Sequence, residues 1–313
     1  MAELLSTRVE YGKALVELGE KYPEIVVLDA DLSGSTQTAR FDKVFKDRFF
    51  NLGIAEQDMM GTAAGLAASG KIPFASTFAI FAAGRAWEQI RQSIAYTNLN
   101  VKIVASHGGV TVGEDGGSHQ AIEDLALMRI LPNMVVLAPA DGIETRRMVE
   151  WAVTYQGPVY IRTSRHPFPV IYDDHYRFRF GKGSLLRDGE DVTLAGIGLM
   201  VHHCLEAADL LAAQGISARV INLSCLKPLD QDLVVASARK TKAMVTAEEH
   251  LITGGLGSAV AEVLGENYPI PLRRVGIKDT FGLSGKAKEL LKYFGLMPED
   301  IKDAALKVLQ RKS

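Results

Sequence analysis

Short apolar runs alternate with longer amphipathic stretches along most of the chain. In the first half the apolar runs are EIVVLDA, KIPFAST, VKIVASH, MVVLAPA and PVYIRTS. Stretches of helical period, such as AWEQIRQSIAYTN and GIETRRMVEWAVTYQ, separate them. This alternation is typical of a mostly parallel sheet covered by helices, so the pattern predicts an α/β fold.

The alternation stops near Arg165 and resumes near Asp191. The segment between them, HPFPVIYDDHYRFRFGKGSLLRDGED, is rich in Pro, Gly, aromatic and charged residues and follows neither period. Beyond it, DVTLAGIG, SARVINLS, KAMVTAEE and PLRRVGI each precede a candidate helix. We therefore predict two domains, each a mostly parallel sheet flanked by helices, over residues 1–168 and 191–313, with a linker over 169–190.

Composition and charge narrow the class of protein. Apolar residues make up 47% and charged residues 23% of the 313 residues, as in ordinary globular proteins. A net charge of −2 without blocks of like charge argues against nucleic acid as a partner. The N-terminal segment has the pattern of an amphipathic helix rather than a signal peptide, and no run approaches the ~20 apolar residues of a membrane span. The sequence predicts a cytoplasmic protein that does not bind membranes.

Polar or Gly-rich segments follow three of the predicted strands. Asp31 to Ser35 follow EIVVLDA, the loop GGVTVGEDGGSHQ follows VKIVASH, and Arg165 follows PVYIRTS. Ligands of open parallel sheets gather at the carboxyl ends of the strands. We expect these segments to share one pocket.

A glutamate begins a predicted helix in FFNLGIAEQDMMGTAAGLAASG. A lone Glu in a first turn most often complements the helix dipole. Here Leu52, Ile54, Ala55 and the Met59–Met60 pair place apolar groups around Glu56, and such surroundings favour the protonated form of a carboxyl. Glu56 is therefore a candidate to share a proton with a ring nitrogen.

Two aromatic residues and two histidines follow the next predicted strands. Phe78 and Phe81 have helical spacing, which is more common in a core but also allows a stacking platform for a flat heteroaromatic ring. His107 and His119 bracket an acidic Gly-rich loop that carries Asp115. The spacing of these histidines does not suit a compact metal site, so no metal ligands are predicted. Such side chains do suit hydrogen bonding and proton transfer to hydroxyl-rich substrates.

The motifs LGIAEQ, STFxxF and GEDGxxHQ, followed by a strand that ends in TSR, resemble the pyrimidine-binding and C-terminal domains of transketolase. The resemblance covers nearly the whole chain. It implies that Glu56 donates a hydrogen bond to the aminopyrimidine ring of thiamine diphosphate. By the same resemblance Phe78, Phe81, Ile54 and Asp31 contact this cofactor.

The resemblance also implies a substrate site. His107, Ser35 and Arg165 would contact a sugar phosphate, with Asp115 and His119 near the reacting hydroxyl groups. Both histidines are therefore catalytic candidates beside the glutamate.

The sequence departs from the family pattern at two positions. The third aromatic of the family's cofactor pocket falls on Gly84, and Gly117 stands where the family's loop has a proline. We expect the glycine at 117 to loosen the loop rather than to change its chemistry.

Transketolases hold the diphosphate and its magnesium with an N-terminal domain that carries a GDG motif and a downstream Asn, and no such stretch is found here. The resemblance therefore implies a split enzyme in which a second subunit supplies this site and magnesium. Two copies of each chain would form an α2β2 assembly, and this chain would pair with its own copy through the pyrimidine domain, at the Gly/Ala face that follows Glu56.

Other functions share this fold. The β subunit of a 2-oxo-acid dehydrogenase decarboxylase and a deoxyxylulose-phosphate synthase fragment are the enzymatic alternatives, and GEDG with both histidines favours ketol transfer over them. A degenerate scaffold that pairs with an active relative is the non-enzymatic alternative. The donor and acceptor sugars stay open between the pentose phosphate route and catabolism of a rarer sugar phosphate.

Overall fold

The computed structural model describes residues 3–312 and confirms the α/β class with two mostly parallel sheets flanked by helices. The strands are β1 Leu4–Ser6, β2 Ile25–Asp29, β3 Phe49–Asn51, β4 Ile72–Phe78, β5 Lys102–Ser106, β6 Val135–Leu137, β7 Val159–Arg162, β8 Pro167–Pro169, β9 Ser184–Arg187, β10 Val192–Gly196, β11 Ala218–Asn222, β12 Cys225–Lys227, β13 Met244–Leu251 and β14 Leu272–Ile277. The helices are α1 Thr7–Lys21, α2 Ser33–Thr36, α3 Ala39–Val44, α4 Glu56–Ala68, α5 Trp87–Gln89, α6 Asp124–Arg129, α7 Gly142–Thr154, α8 Met200–Ala212, α9 Gln231–Thr241, α10 Leu256–Asn267, α11 Ala287–Tyr293 and α12 Pro298–Leu309.

The first sheet has the strand order β12-β6-β7-β5-β4-β2-β3 within the described residues. Its inner strands are buried on both faces, which explains their nearly continuous apolar sequences. In β2, Ile25 and Val27 pack with α1 and α7, whereas Val26 and Leu28 pack with residues of α4 on the opposite face. All strands of this sheet except the edge strand β12 are parallel, so their carboxyl ends lie along one edge.

The second sheet has the order β14-β13-β10-β11-β9. Its edge strand β9 lies inside the predicted linker and pairs antiparallel with β11. The strand β12 follows β11 in the chain but pairs with β6 of the first sheet, where Cys225 lies opposite Leu137. The second half of the chain thus contributes a strand to the first sheet, and the predicted domain limits stay a prediction.

The segment after β4 is not the single α-helix that its pattern suggests. Two π-helical stretches, Phe81–Arg85 and Ile90–Ala95, flank the short helix α5. A π-helical turn accommodates an extra residue and shifts the side chains that follow it, and such turns are frequent at functional sites. No helix in the part of the chain that the structure describes has both the length and the apolar character to cross a bilayer.

Candidate active site

The predicted site residues lie at the carboxyl edge of the first sheet. The strands β7, β5, β4, β2 and β3 are neighbours in that order, and a candidate residue follows each of them. These residues are Arg165 after β7, His107 after β5, Phe81 after β4, Asp31 after β2 and Glu56 after β3. One edge therefore gathers segments that are far apart in the sequence.

Glu56 is the first residue of α4 and is 1% exposed. Its two carboxylate oxygens accept hydrogen bonds of 3.0 and 2.8 Å from one guanidinium nitrogen of Arg85. The same guanidinium lies 4.6 Å from the centre of the Phe81 ring. The apolar surroundings that the sequence predicted are thus incomplete, because a cation faces the carboxylate. Arg85 was missed by the sequence analysis.

The aromatic pair forms part of a larger stack. The rings of Phe78 and Phe81 are 5.8 Å apart and nearly parallel, at an interplanar angle of 10°. The imidazole of His107 stacks on Phe78 at 3.8 Å, and His119 meets Phe81 edge-on at 5.5 Å. Phe78 is buried within this stack, whereas Phe81 is only partly buried.

The space at Gly84, where the family has its third aromatic, is open. A Cβ added to Gly84 would approach only the Cδ1 atom of Ile80, at 3.8 Å. Ile54, a predicted cofactor contact, is 78% exposed on the loop before α4. The open wall and the exposed Ile54 leave room for a ligand or a second chain on this side.

His107 is held in an unusual conformation. Its φ is +63°, in the left-handed region that residues other than glycine seldom occupy, and its Nδ1 lies 2.5 Å from the Ser106 hydroxyl. Burial, together with Arg8, Arg165 and His119, lowers the pKa of His107 to about 3. The imidazole is therefore neutral over the physiological range and is available as a hydrogen-bonding group, with its backbone strain compensated by the surrounding fold.

We expect His107 to make the protein less stable in acid. Between pH 3 and 6.5 the unfolded histidine binds a proton that the folded one rejects, so the free energy of unfolding falls as the pH drops. A pKa shift of this size corresponds to a loss of about 2 kcal/mol between pH 7 and pH 5. Urea denaturation of the wild type and of His107→Gln at both pH values measures it, and an equal loss in the two proteins would contradict the assignment.

Two arginines lie close together at the substrate end of the site. Arg165 donates hydrogen bonds to the Val112 carbonyl at 2.7 Å and to Oδ1 of Asp115 at 3.2 Å. Arg8, which the sequence analysis missed, donates to the Ser35 carbonyl at 2.8 Å. Burial and the neighbouring Arg165 charge lower the pKa of Arg8. Two cations this close form a site that an anion would stabilise.

Asp31 lies at the sheet edge with a φ of +62°. Its backbone N–H donates to Oδ1 of Asn51 at 3.1 Å, and the Asn51 amide donates to its carboxylate at 3.0 Å. Behind it the fully buried Asp29 accepts hydrogen bonds from the backbone of Leu32 and the hydroxyl of Thr36. Asp29 thus fixes the turn, while Asp31 is exposed and pairs with Asn51.

Gly117 makes a close contact that the sequence analysis did not predict, and the loosening of its loop stays a prediction. A Cβ at this position would lie 2.7 Å from the carbonyl oxygen of Gly282, in the second domain. The glycine therefore permits a close contact between the loop and the second domain. Over the described range 3–312, no cluster of three or more His, Cys, Asp or Glu side chains has the arrangement of a metal site.

The chain matches two family models, transketolase, pyrimidine binding domain over residues 3–169 and transketolase, C-terminal domain over residues 181–301. A putative transketolase C-terminal section from Methanocaldococcus jannaschii is 53% identical over 94% of this chain and 93% of its own length. The 6-deoxy-6-sulfo-D-fructose transketolase subunit SqwH from Clostridium sp. is 46% identical over 98% of this chain and 95% of its own. A solved structure described as a split gene transketolase, inactive beta4 tetramer, is 56% identical with a TM-score of 0.93, and the match covers 99% of this chain and 100% of that one.

These relatives support transketolase over the 2-oxo-acid dehydrogenase and deoxyxylulose-phosphate synthase alternatives. The family uses thiamine diphosphate, in agreement with the predicted cofactor. Because both halves match transketolase models and relatives match along almost the whole sequence, the chain belongs to the transketolase family.

Proposed function

We propose that this chain is the C-terminal subunit of a split transketolase, which transfers a two-carbon ketol unit from a ketose phosphate to an aldose or aldose phosphate. One observation carries the proposal: a buried glutamate and a stacked aromatic pair share a sheet edge with a neutral histidine and two arginines. A cofactor pocket and an anion site at one edge are what ketol transfer between sugar phosphates requires.

The residues present fit the pyrimidine half of thiamine diphosphate. Phe81 is only partly buried, and Gly84 leaves open space three residues further along the chain. Arg85 lies over the Phe81 ring and donates to the carboxylate of Glu56. Glu56, Phe78 and Phe81 would hold the aminopyrimidine, with Asp31 and Ile54 as predicted contacts at the rim. When bound, the cofactor supplies the carbanion chemistry of ketol transfer.

The chain's own residues would orient the sugar and transfer protons. Glu56, whose side chain is 1% exposed, would present its carboxyl to a ring nitrogen of the bound cofactor. His107 is neutral and can therefore donate or accept one hydrogen bond to a hydroxyl group without a change of charge. His119, which belongs to the Gly-rich loop, lies edge-on to Phe81. Arg165 supplies a planar fork of donors for a phosphate group.

The proposal includes a second subunit that holds the diphosphate and magnesium, in an α2β2 assembly whose centre is a pair of copies of this chain. The relatives support it: one is described as a C-terminal section, one as a subunit and one as an inactive beta4 tetramer. We propose sugar phosphates only as a class of substrate and name no individual sugar, because the sulfo-sugar in one relative's name is the substrate of that relative. A cytoplasmic location stays a prediction from the sequence.

The test is to assay this chain, a candidate GDG-bearing partner and their mixture with thiamine diphosphate and magnesium. We expect ketol transfer from a ketose phosphate only in the mixture, because neither chain builds the whole cofactor site. Full activity of the isolated chain would contradict the split arrangement. Release of carbon dioxide from a 2-oxo acid, without ketol transfer, would instead favour the decarboxylase alternative.

A further inference from the structure

The substrate loop, defined as Gly108–Gln120, is held by a buried carboxylate of the second domain. Glu249 of β13 accepts a hydrogen bond of 2.6 Å from the Thr111 backbone N–H. A Cβ on Gly109, whose φ is +82°, would lie 2.3 Å from this carboxylate. The first domain holds Glu249 in return, because Arg162 of β7 donates to its backbone carbonyl at 2.9 Å. The close contact between the Glu249 carboxylate and the loop backbone thus requires a glycine at position 109.

A second element of the second domain also contacts the substrate loop. We call Thr280–Gly285 the cap segment. The Ser284 hydroxyl donates to the Glu114 carbonyl at 2.6 Å, and the side-chain amide of Gln120 donates to the Leu283 carbonyl at 2.8 Å. Gly117 approaches the backbone of the cap segment as described above. The loop is therefore enclosed between two elements of the second domain.

The residues that Glu249 and Ser284 contact are next in sequence to the hydrogen-bond partners of Arg165. Thr111, which Glu249 holds, precedes Val112, and the Val112 carbonyl accepts the hydrogen bond that orients Arg165. Asp115, the other partner of Arg165, follows Glu114, which Ser284 holds. Displacing either contact would shift the acceptors of the Arg165 guanidinium.

We propose that Glu249 and Ser284 are positioning residues, through which the second domain sets the affinity for the sugar phosphate. Each side chain acts through the backbone of the substrate loop, with which it forms a hydrogen bond. The inference rests on the proposed function for its substrate, but the mechanical contact between the domains does not. The two parts can therefore be tested separately.

The test uses Glu249→Gln and Ser284→Ala, with Thr280→Ala as the matched control. An amide keeps the volume of Glu249 but replaces one carboxylate oxygen by an NH2 group and removes the charge that strengthens the hydrogen bond from the Thr111 N–H. Thr280 is exposed in the same cap segment, and its hydroxyl donates to the neighbouring carbonyl of Phe281 rather than to the substrate loop. Hydrogen exchange of residues 108–120 is measured in the isolated chain. The KM for a ketose phosphate, kcat and thiamine diphosphate affinity are measured in the assembled enzyme.

We expect residues 108–120 to exchange faster in both variants than in the wild type, and at the wild-type rate in the control. The KM for the ketose phosphate should rise about 5-fold or more in Glu249→Gln and about 2- to 3-fold in Ser284→Ala, with cofactor affinity unchanged. If the exchange rates did not change, these contacts would not restrain the loop. If exchange became faster but the KM stayed the same, the two residues would not position the substrate site. An assembled wild type that lacks ketol transfer would refute the proposed function alone, while the exchange measurement would still decide on the restraint.

Discussion

Replacing Glu56 by Gln is expected to lower the kcat of ketol transfer by the assembled enzyme at least about 100-fold. The side chain is 1% exposed, and an amide of the same size keeps its packing in the first turn of α4. The amide cannot exchange a proton with a ring nitrogen, and it cannot accept both of the hydrogen bonds that Arg85 donates to the two carboxylate oxygens. Steady-state kinetics at saturating cofactor and substrate measure the effect, and size-exclusion chromatography with the partner checks assembly.

Asp58→Asn is the matched control for Glu56→Gln. Both acids lie in the first turn of α4, but Asp58 is exposed, so this variant removes the same charge from the helix terminus without touching the buried site. We expect its activity to stay within about 2-fold of the wild type, as for other surface changes. If Glu56→Gln retained full activity, the catalytic role of Glu56 would be refuted and the scaffold alternative would gain support.

The sequence was sufficient to predict the sheet edge on which the site lies. Continuous apolar runs marked β2, β4, β5 and β7, and the rule that ligands meet the carboxyl ends of parallel strands pointed to the residues that follow them. The rule succeeds because a buried parallel strand needs apolar residues on both faces, which leaves polar residues conspicuous where the strand ends. The short edge strands β3, β9 and β12 lack such a signal.

Arg8 could not be predicted because its neighbour is distant in sequence. The hydroxyl of Thr7 accepts a hydrogen bond of 2.9 Å from the Ser164 backbone N–H, and β1 pairs with β8. These contacts bring Arg8 next to Arg165. From the sequence alone, an arginine in the first turns of an amphipathic helix has the pattern of an ordinary surface charge. Only the long-range pairing gives it a place in the site.

Arg85 was missed for a local reason. The stretch FAAGRAW is compatible with an ordinary α-helix, in which the arginine would have a different direction from the one it takes. The π-helical turn Phe81–Arg85 shifts the guanidinium toward Phe81 and Glu56. Periodicity does not reveal such a turn, because one inserted residue leaves the apolar pattern on both sides intact.

Replacing Arg165 by Ala is expected to raise the KM for a phosphorylated ketose about 10- to 100-fold and to leave an unphosphorylated ketose within about 2-fold. The arginine lies beside Arg8, whose pKa is lowered by burial and by the Arg165 charge. A phosphate dianion between the two would relieve this repulsion, so the loss should be confined to substrates that carry it. Arg8→Ala should show the same selectivity, and Arg165→Lys should recover part of the binding through its charge but not the planar fork.

Arg187→Ala provides the control, because Arg187 pairs with Asp209 on the surface of the second domain. It removes the same side chain and the same charge far from the sheet edge, and both ketoses should keep their wild-type KM. If Arg165→Ala weakened the two ketoses equally, its guanidinium would act by holding Val112 and Asp115 in place rather than by binding phosphate. A selective loss that disappears at high salt would point to screened attraction alone, whereas a loss that persists would indicate direct hydrogen bonds to the phosphate.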